Sequence, residues 1–226
     1  MVDWLDANGS KVVEIDTDGV YFIPPTGATP ESLDAGLRRD VLPDGIDIEF
    51  DTTYLAMFSY KAKNYALLRD SGELVIKGGA LRSRGLEKFQ RVFLERMLRL
   101  LIDGERQRVR ELHAEFAAAI ENRAWDISML AKTETLQDSL ASYREKIERS
   151  SRNRAAAYEL ALASGREHQP GDQISYYVTG TRKRVPVHEN CRLASEWNPR
   201  QRDENTAYYK AKLDDLVKKF REFIDD

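Results

Sequence analysis

Apolar and polar positions change rhythm near residue 80. Before that point the runs are short. Met1 to Ala7 predicts two turns of helix, stopped at Asn8-Gly9, a pair suited to left-handed backbone. Lys11-Val-Val-Glu-Ile15 and Val20-Tyr-Phe-Ile23 are β-rich and flank the polar turn Asp16-Thr-Asp-Gly19, which predicts a hairpin. Pro24-Pro25 ends it. Thr29 is a good N-cap with Pro30 at the first helical position, and this helix runs to about Leu42. After the Pro43-Asp-Gly45 break, alternation over Ile46 to Leu68 predicts two strands. Asp70-Ser-Gly72 then turns the chain into a further strand over Glu73 to Lys77.

Beyond Gly78-Gly79 the helical period takes over. Phe89, Val92, Phe93, Met97, Leu100 and Leu101 mark a core-facing helix over Leu86 to Ile102. Leu112, Phe116, Ala119 and Ile120 mark another over Glu105 to Asn122. Helices are also predicted over Leu136 to Ile147 and Asn153 to Ser164, the second stopped by Gly165. Pro170-Gly171-Asp172 leads into a β-rich run, Gln173 to Thr179, and a final amphipathic helix spans Thr206 to Ile224. Leu213, Leu216, Val217, Phe220 and Phe223 form its stripe. The expected class is α+β: antiparallel hairpin and strands with helices, followed by a mostly helical part. The boundary is expected near Gly79 to Gly85, giving units of about 1–82 and 83–226.

Composition narrows the classes. Apolar residues make up 42% of the 226, enough for a real core, while 32% charge and a mean hydropathy of -0.57 describe a water-facing surface. No apolar run approaches the roughly 18 residues of a membrane span, and Met1-Val2-Asp3-Trp4 has no secretion-signal pattern. A single cysteine, Cys191, excludes an internal disulfide framework and a cysteine-rich zinc site. A reducing, cytoplasmic setting is the expectation. His113, His168 and His188 lack ligand spacing and are expected at the surface. Trp4, Trp125 and Trp197 suit core or interface anchors.

Net charge is -3, yet it is unevenly spread. Residues 1–60 set twelve acids against Lys11, Arg38 and Arg39, a balance of -9, so the remaining 166 residues carry +6. An acidic segment followed by a basic one fits a metal site beside a nucleic-acid grip, and equally two solvated faces of different sign. Arg149, Arg152, Arg154 and the tract Arg182-Lys183-Arg184 are candidate phosphate contacts or ordinary solvated turns.

The most informative triplet is Asp16-Thr17-Asp18. Two carboxylates brought close at a hairpin tip repel each other unless a cation sits between them. Such oxygen ligands suit Mg²⁺, which takes one or two carboxylates and completes its shell with phosphate and water. The same residues also suit an Asx-type turn with two solvated acids.

The segment Val13-Glu-Ile-Asp-Thr-Asp-Gly-Val-Tyr21 resembles motif C of family B DNA polymerases, Y-x-D-T-D-S or Y-x-D-T-D-G. Downstream, Lys61-Ala-Lys63-Asn-Tyr65 resembles the K-K-x-Y motif that grips the primer end. Lys77-Gly-Gly-Ala-Leu-Arg82-Ser-Arg84 is similar to the junction carrying V-R-R-D. Pro170-Gly-Asp172-Gln-Ile-Ser-Tyr176 resembles the P-G-D-x-I-x-Y strand of the thumb. Asp203 to Lys210, with Tyr208-Tyr209, resembles the D-x-x-Y-Y opening its closing helix. In order, these matches cover nearly the whole chain.

The resemblance implies a partial polymerase palm over 1–82 and a thumb over 83–226. It implies that Asp16 and Asp18 belong to a two-metal Mg²⁺ site, Asp18 being the direct ligand. Lys63 and Tyr65 would contact the primer strand, and Lys61, Arg82 and Arg84 the DNA backbone. A solvated strand face is the alternative for Lys61 and Lys63. Primer-template DNA and a dNTP are the implied partners, in DNA-directed DNA polymerase chemistry. There are departures. Glu14 stands where the family has Tyr, either a third acid near the metal or a side chain pointing away. Gly19 replaces the commoner Ser, and Arg84 replaces Asp. No S-L-Y-P-S-I or K-x-x-x-N-S-x-Y-G segment is present, so motifs A and B are expected from a large subunit or an upstream segment, and the chain is expected not to polymerise alone. Two further readings stand beside this one: a non-catalytic DNA-binding or assembly module, and a helical interaction protein whose turn acids are incidental.

Overall fold

The computed structural model describes residues 1–17, 19–83 and 85–225. The fold is α+β, and the chain divides between Arg82 and Ser83 into two compact units.

The first unit opens with α1 (Val2–Ala7), stopped at Asn8 and Gly9, the latter at φ +81°. Strands β1 (Lys11–Asp16) and β2 (Gly19–Ile23) pair antiparallel, with Asp16 opposite Gly19 across the tip. Side chains alternate along β1: Val12, Glu14 and Asp16 are half-buried on one face, whereas Val13 and Ile15 are exposed on the other. Helix α2 (Pro30–Asp40) starts as its cap residues dictate, the Thr29 hydroxyl accepting from the Ser32 amide at 3.2 Å. Gly36 lets the Trp4 ring lie against it, where a Cβ would meet the ring at 2.5 Å. A meander follows, β3 (Ala56–Lys61), β4 (Asn64–Leu68) and β5 (Leu74–Lys77), with β4 central. Tyr65, Ala66 and Leu67 are its buried residues. The two strands expected over Ile46 to Leu68 are therefore β3 and β4. Ile46 to Leu55 holds no strand, and its Phe50 and Tyr54 instead pack edge-on or tilted against Phe22 and Tyr21.

The second unit is built on α3 (Lys88–Ile102) and α4 (Arg106–Glu121). Phe89, Phe93 and Met97 of α3 are fully buried, and Phe93 meets Phe116 of α4 edge to face at 5.2 Å. Each such ring contributes about 1.5–3 kcal/mol by leaving water. Strand β6 (Lys132–Thr135) precedes α5 (Leu140–Arg149) and α6 (Ala156–Ala163). Then β7 (Gln173–Val178) pairs with β6 on one side and β8 (Cys191–Leu193) on the other. The helix expected from Leu136 begins only at Leu140: Leu136 is buried in a loop, its amide donating to the Asp172 carbonyl and its carbonyl accepting from the Gly171 amide. The final helix is likewise two pieces, α7 (Thr206–Lys219) and α8 (Arg221–Ile224), interrupted at the buried Phe220.

His168 also departs from expectation. It is not a surface residue but lies half-buried in the loop after α6, Nε2 at 3.1 Å from the Ser164 hydroxyl and Nδ1 at 3.2 Å from Asp172. Ser164 gives its own hydrogen to the Ala161 carbonyl, so this trio clasps a helix end. Trp125 packs on Phe116, and Trp197 donates to the buried Glu204. No helix among the described residues is long and apolar enough to cross a membrane.

Candidate active site

Asp16 ends β1 with its side chain about one-third exposed. Its Oδ1 accepts the Thr17 amide at 2.7 Å, and its Oδ2 accepts the Tyr65 hydroxyl at 3.0 Å. The Thr17 amide and then Tyr65 hold this carboxyl below its ordinary range; burial opposes them, and the nearby Lys63 charge adds a lesser lowering. Asp16 is thus an anion at neutral pH. Asp18, its expected companion, lies outside the described residues, as does Arg84.

Tyr65 comes from β4, and its ring is nearly fully buried. Its hydroxyl also hydrogen-bonds the Tyr21 hydroxyl at 3.3 Å, with the two rings 5.2 Å apart. Burial first, then Tyr21 and Asp16, push the phenol far above its ordinary range, so it remains a protonated donor. The sequence did not single out Tyr21; it stands opposite Glu14 on β2, and only the pairing register brings it here.

Lys63 does not occupy a strand. It sits in the tight turn between β3 and β4 at φ +63°, in left-handed backbone uncommon for a residue other than glycine. From there Nζ reaches the Thr17 hydroxyl at 2.8 Å and stands 4.0 Å from Asp16 Oδ1. The turn is braced by Asn64, whose amide donates to the Ala62 carbonyl at 2.9 Å and accepts from the Ala80 amide at 2.8 Å. Gly78 closes over it at φ +91°, so near that a Cβ would stand 2.2 Å from the Lys63 carbonyl oxygen. Glu14 faces the same turn, accepting the Ser59 hydroxyl at 2.7 Å and the Lys63 amide at 3.4 Å. Lys61 and Arg82 are exposed; Lys61 Nζ lies 5.0 Å from the centre of the Tyr60 ring, and the Arg82 amide donates to Gly78. The geometry thus brings Asp16, Lys63 and Tyr65 together, while the Lys61 ammonium is directed at an aromatic ring.

Asp16 offers hard oxygen donors of the kind Mg²⁺ takes. Among the described residues no three of His, Cys, Asp and Glu gather as a metal cage.

In the second unit, the Arg182-Lys183-Arg184 loop is tied down by the fully buried Asn205. Its amide donates to the carbonyls of Thr179 and Arg182 while its oxygen caps α7 at the Tyr208 amide. A cleft of about 430 Å³ beside this loop is lined by Lys183, Arg184, Tyr208, Lys212, Asp214 and Asp215.

Residues 16–224 match the sequence profile of DNA polymerase family B. A DNA polymerase of Pyrococcus glycovorans is 25% identical over 212 residues, covering 89% of this chain and 26% of that protein. A DNA polymerase of Archaeoglobus fulgidus is 37% identical over 101 residues, covering 42% of this chain and 12% of its own length. The solved family B DNA polymerase of the hyperthermophilic archaeon Pyrobaculum calidifontis superposes with a TM-score of 0.72 at 21% identity, over 99% of this chain and 27% of that one. This chain thus spans about a quarter of the length of the first of these relatives.

Proposed function

The chain belongs to DNA polymerase family B, and from that premise we propose that it supplies a DNA-directed DNA polymerase with part of its palm, over 1–82, and with its duplex-holding thumb, over 83–226. The observation that carries this reading is the meeting of Lys63 and Tyr65 with Asp16, which lies 47 and 49 residues before them in the chain. An anionic carboxylate, an ammonium for phosphate and a phenol hydroxyl are what a primer end held at a metal site requires.

In this reading Asp16 and Asp18 hold Mg²⁺ jointly with acids from a second polypeptide or upstream segment bearing motifs A and B. Mg²⁺ supplies charge stabilisation to the attacking and leaving oxygens of nucleotidyl transfer from a dNTP. The chain's own residues prepare for this. Thr17 and Tyr65 keep Asp16 ionised. Lys63 is a weak counter-charge, since one solvent-exposed ammonium at 4.0 Å is easily exchanged. Once released from Thr17 it is free to meet the primer phosphate. The Tyr65 hydroxyl, bonded to Asp16, meets the primer only by exchanging that partner. Lys61, Arg82 and Arg84 are assigned as further contacts to the DNA backbone, and Lys183 and Arg184 as phosphate contacts of the second unit. These contacts read charge and not sequence, as copying any template demands.

Duplex binding by this chain tests the proposal. The affinity is expected to fall steeply with salt, and further on Lys63→Ala. Salt-insensitive binding, or none, supports an assembly module in place of a DNA grip.

A further inference from the structure

We infer that Glu14 is a positioning residue: its carboxylate seats the turn that presents Lys63 against the strand that carries Asp16. The inference rests on the reading of Asp16 and Lys63 as site residues.

Glu14 and Asp16 alternate onto the same half-buried face of β1. The partners of this glutamate lie on the neighbouring hairpin. One oxygen accepts the Ser59 hydroxyl of β3 at 2.7 Å, and the other faces the Lys63 amide at 3.4 Å. Both oxygens are directed into the β3–β4 hairpin. A carboxylate offers two acceptor oxygens, so it serves two donors at once.

The turn needs such a partner. Left-handed backbone at Lys63, φ +63°, is unfavourable for a residue with a Cβ, and its neighbours must over-determine it. Asn64 and Gly78 brace it from within its own sheet. Glu14 braces it from the other hairpin, next to Thr17 and Asp16. The consequence is geometric. The Lys63 side chain leaves the turn at the height that puts Nζ 2.8 Å from Thr17 and 4.0 Å from Asp16. Without Glu14 the two hairpins keep their own ladders, but the ammonium loses its register with the carboxylate.

The first test uses this chain by itself. Hydrogen exchange at the Lys63 amide is expected to quicken about tenfold in Glu14→Ala and Ser59→Ala, and less in Glu14→Gln, which keeps an acceptor for Ser59. Unchanged exchange in all three overturns the inference. The second uses the complete polymerase. Glu14→Ala is expected to raise the KM for primer-template about fivefold with kcat within about twofold, and to add nothing in a Lys63→Ala background. A kcat loss of a hundredfold with an altered Mg²⁺ dependence makes Glu14 a metal ligand and overturns positioning. If Lys63→Ala itself leaves the KM for DNA unchanged, the site reading fails, while the exchange result still judges Glu14. Should Glu14→Ala fail to fold, Glu14→Gln and Ser59→Ala carry both measurements.

Discussion

Tyr65 donates its hydroxyl to Asp16 at 3.0 Å, joining the central strand of one sheet to the tip of a separate hairpin. The phenol is buried and permanently protonated, so it holds an anion in place without competing for its charge.

Replacing it isolates that role. In Tyr65→Phe the Asp16 carboxyl loses one of the bonds that lower its pKa, and its titration moves up toward the ordinary carboxylate range. The shift is partial because the Thr17 amide, the largest cause, remains. The sign follows from linkage: a depressed carboxyl adds stability that is present above its unfolded pKa and lost as pH falls through the folded one. In the variant that loss is therefore smaller and is complete at a higher pH. Carbon-detected titration of the Asp16 carboxyl, beside thermal melts from pH 7 to pH 3, checks both statements.

Gly78→Ala strikes the turn from below. At φ +91°, with a Cβ 2.2 Å from the Lys63 carbonyl oxygen and 2.4 Å from the Asn64 side chain, the substitution is strained and crowded. A loss of about 2–4 kcal/mol is expected from the two effects together. Gly27→Ala is the control: its φ is +84°, but among the described residues nothing stands within 4 Å of the added Cβ. It is expected to cost only the backbone part, about 1–2 kcal/mol. Urea melts of the two variants measure the difference.

Cys191 is expected to react slowly. Burial first, then the charges of Glu159 and Glu134, push its thiol up to about 11. At pH 8 roughly one thiol in a thousand is then a thiolate, so alkylation by iodoacetamide should run about a hundredfold slower than for an exposed cysteine. The rate should climb through pH 10 in folded protein. A plateau near pH 9 would mean that the thiol is open to water.

The sequence made some of this legible and hid the rest for physical reasons. Strands β1 and β2 were readable because alternation and the Asp16-to-Gly19 turn agree, and α2 because Thr29 and Pro30 announce it. Long-range pairing was hidden. β6, Lys-Thr-Glu-Thr, has no apolar period at all and exists because β7 offers it a ladder. β8 is three residues long and exists for the same reason. The left-handed turn at Lys63 carries no glycine to signal it; its cause lies in Asn64, Gly78 and Glu14, distant or unremarkable in the chain. The break at Phe220 falls inside an unbroken amphipathic stripe, where periodicity alone reads one helix. The motif residues pointed to Asp16, Lys63 and Tyr65, but their mutual bonds, and Tyr21 beside them, needed the register.

In the proposed function the hairpin acids of this chain serve nucleotide addition in a complete polymerase. Primer extension with Mg²⁺ and dNTPs tests it most directly, using this chain alone and then assembled with the polypeptide carrying motifs A and B. No synthesis alone, synthesis on assembly, and its loss by at least a hundredfold in Asp16→Ala and in Asp18→Ala is the predicted result. Undiminished extension by an assembly lacking both carboxylates would contradict it.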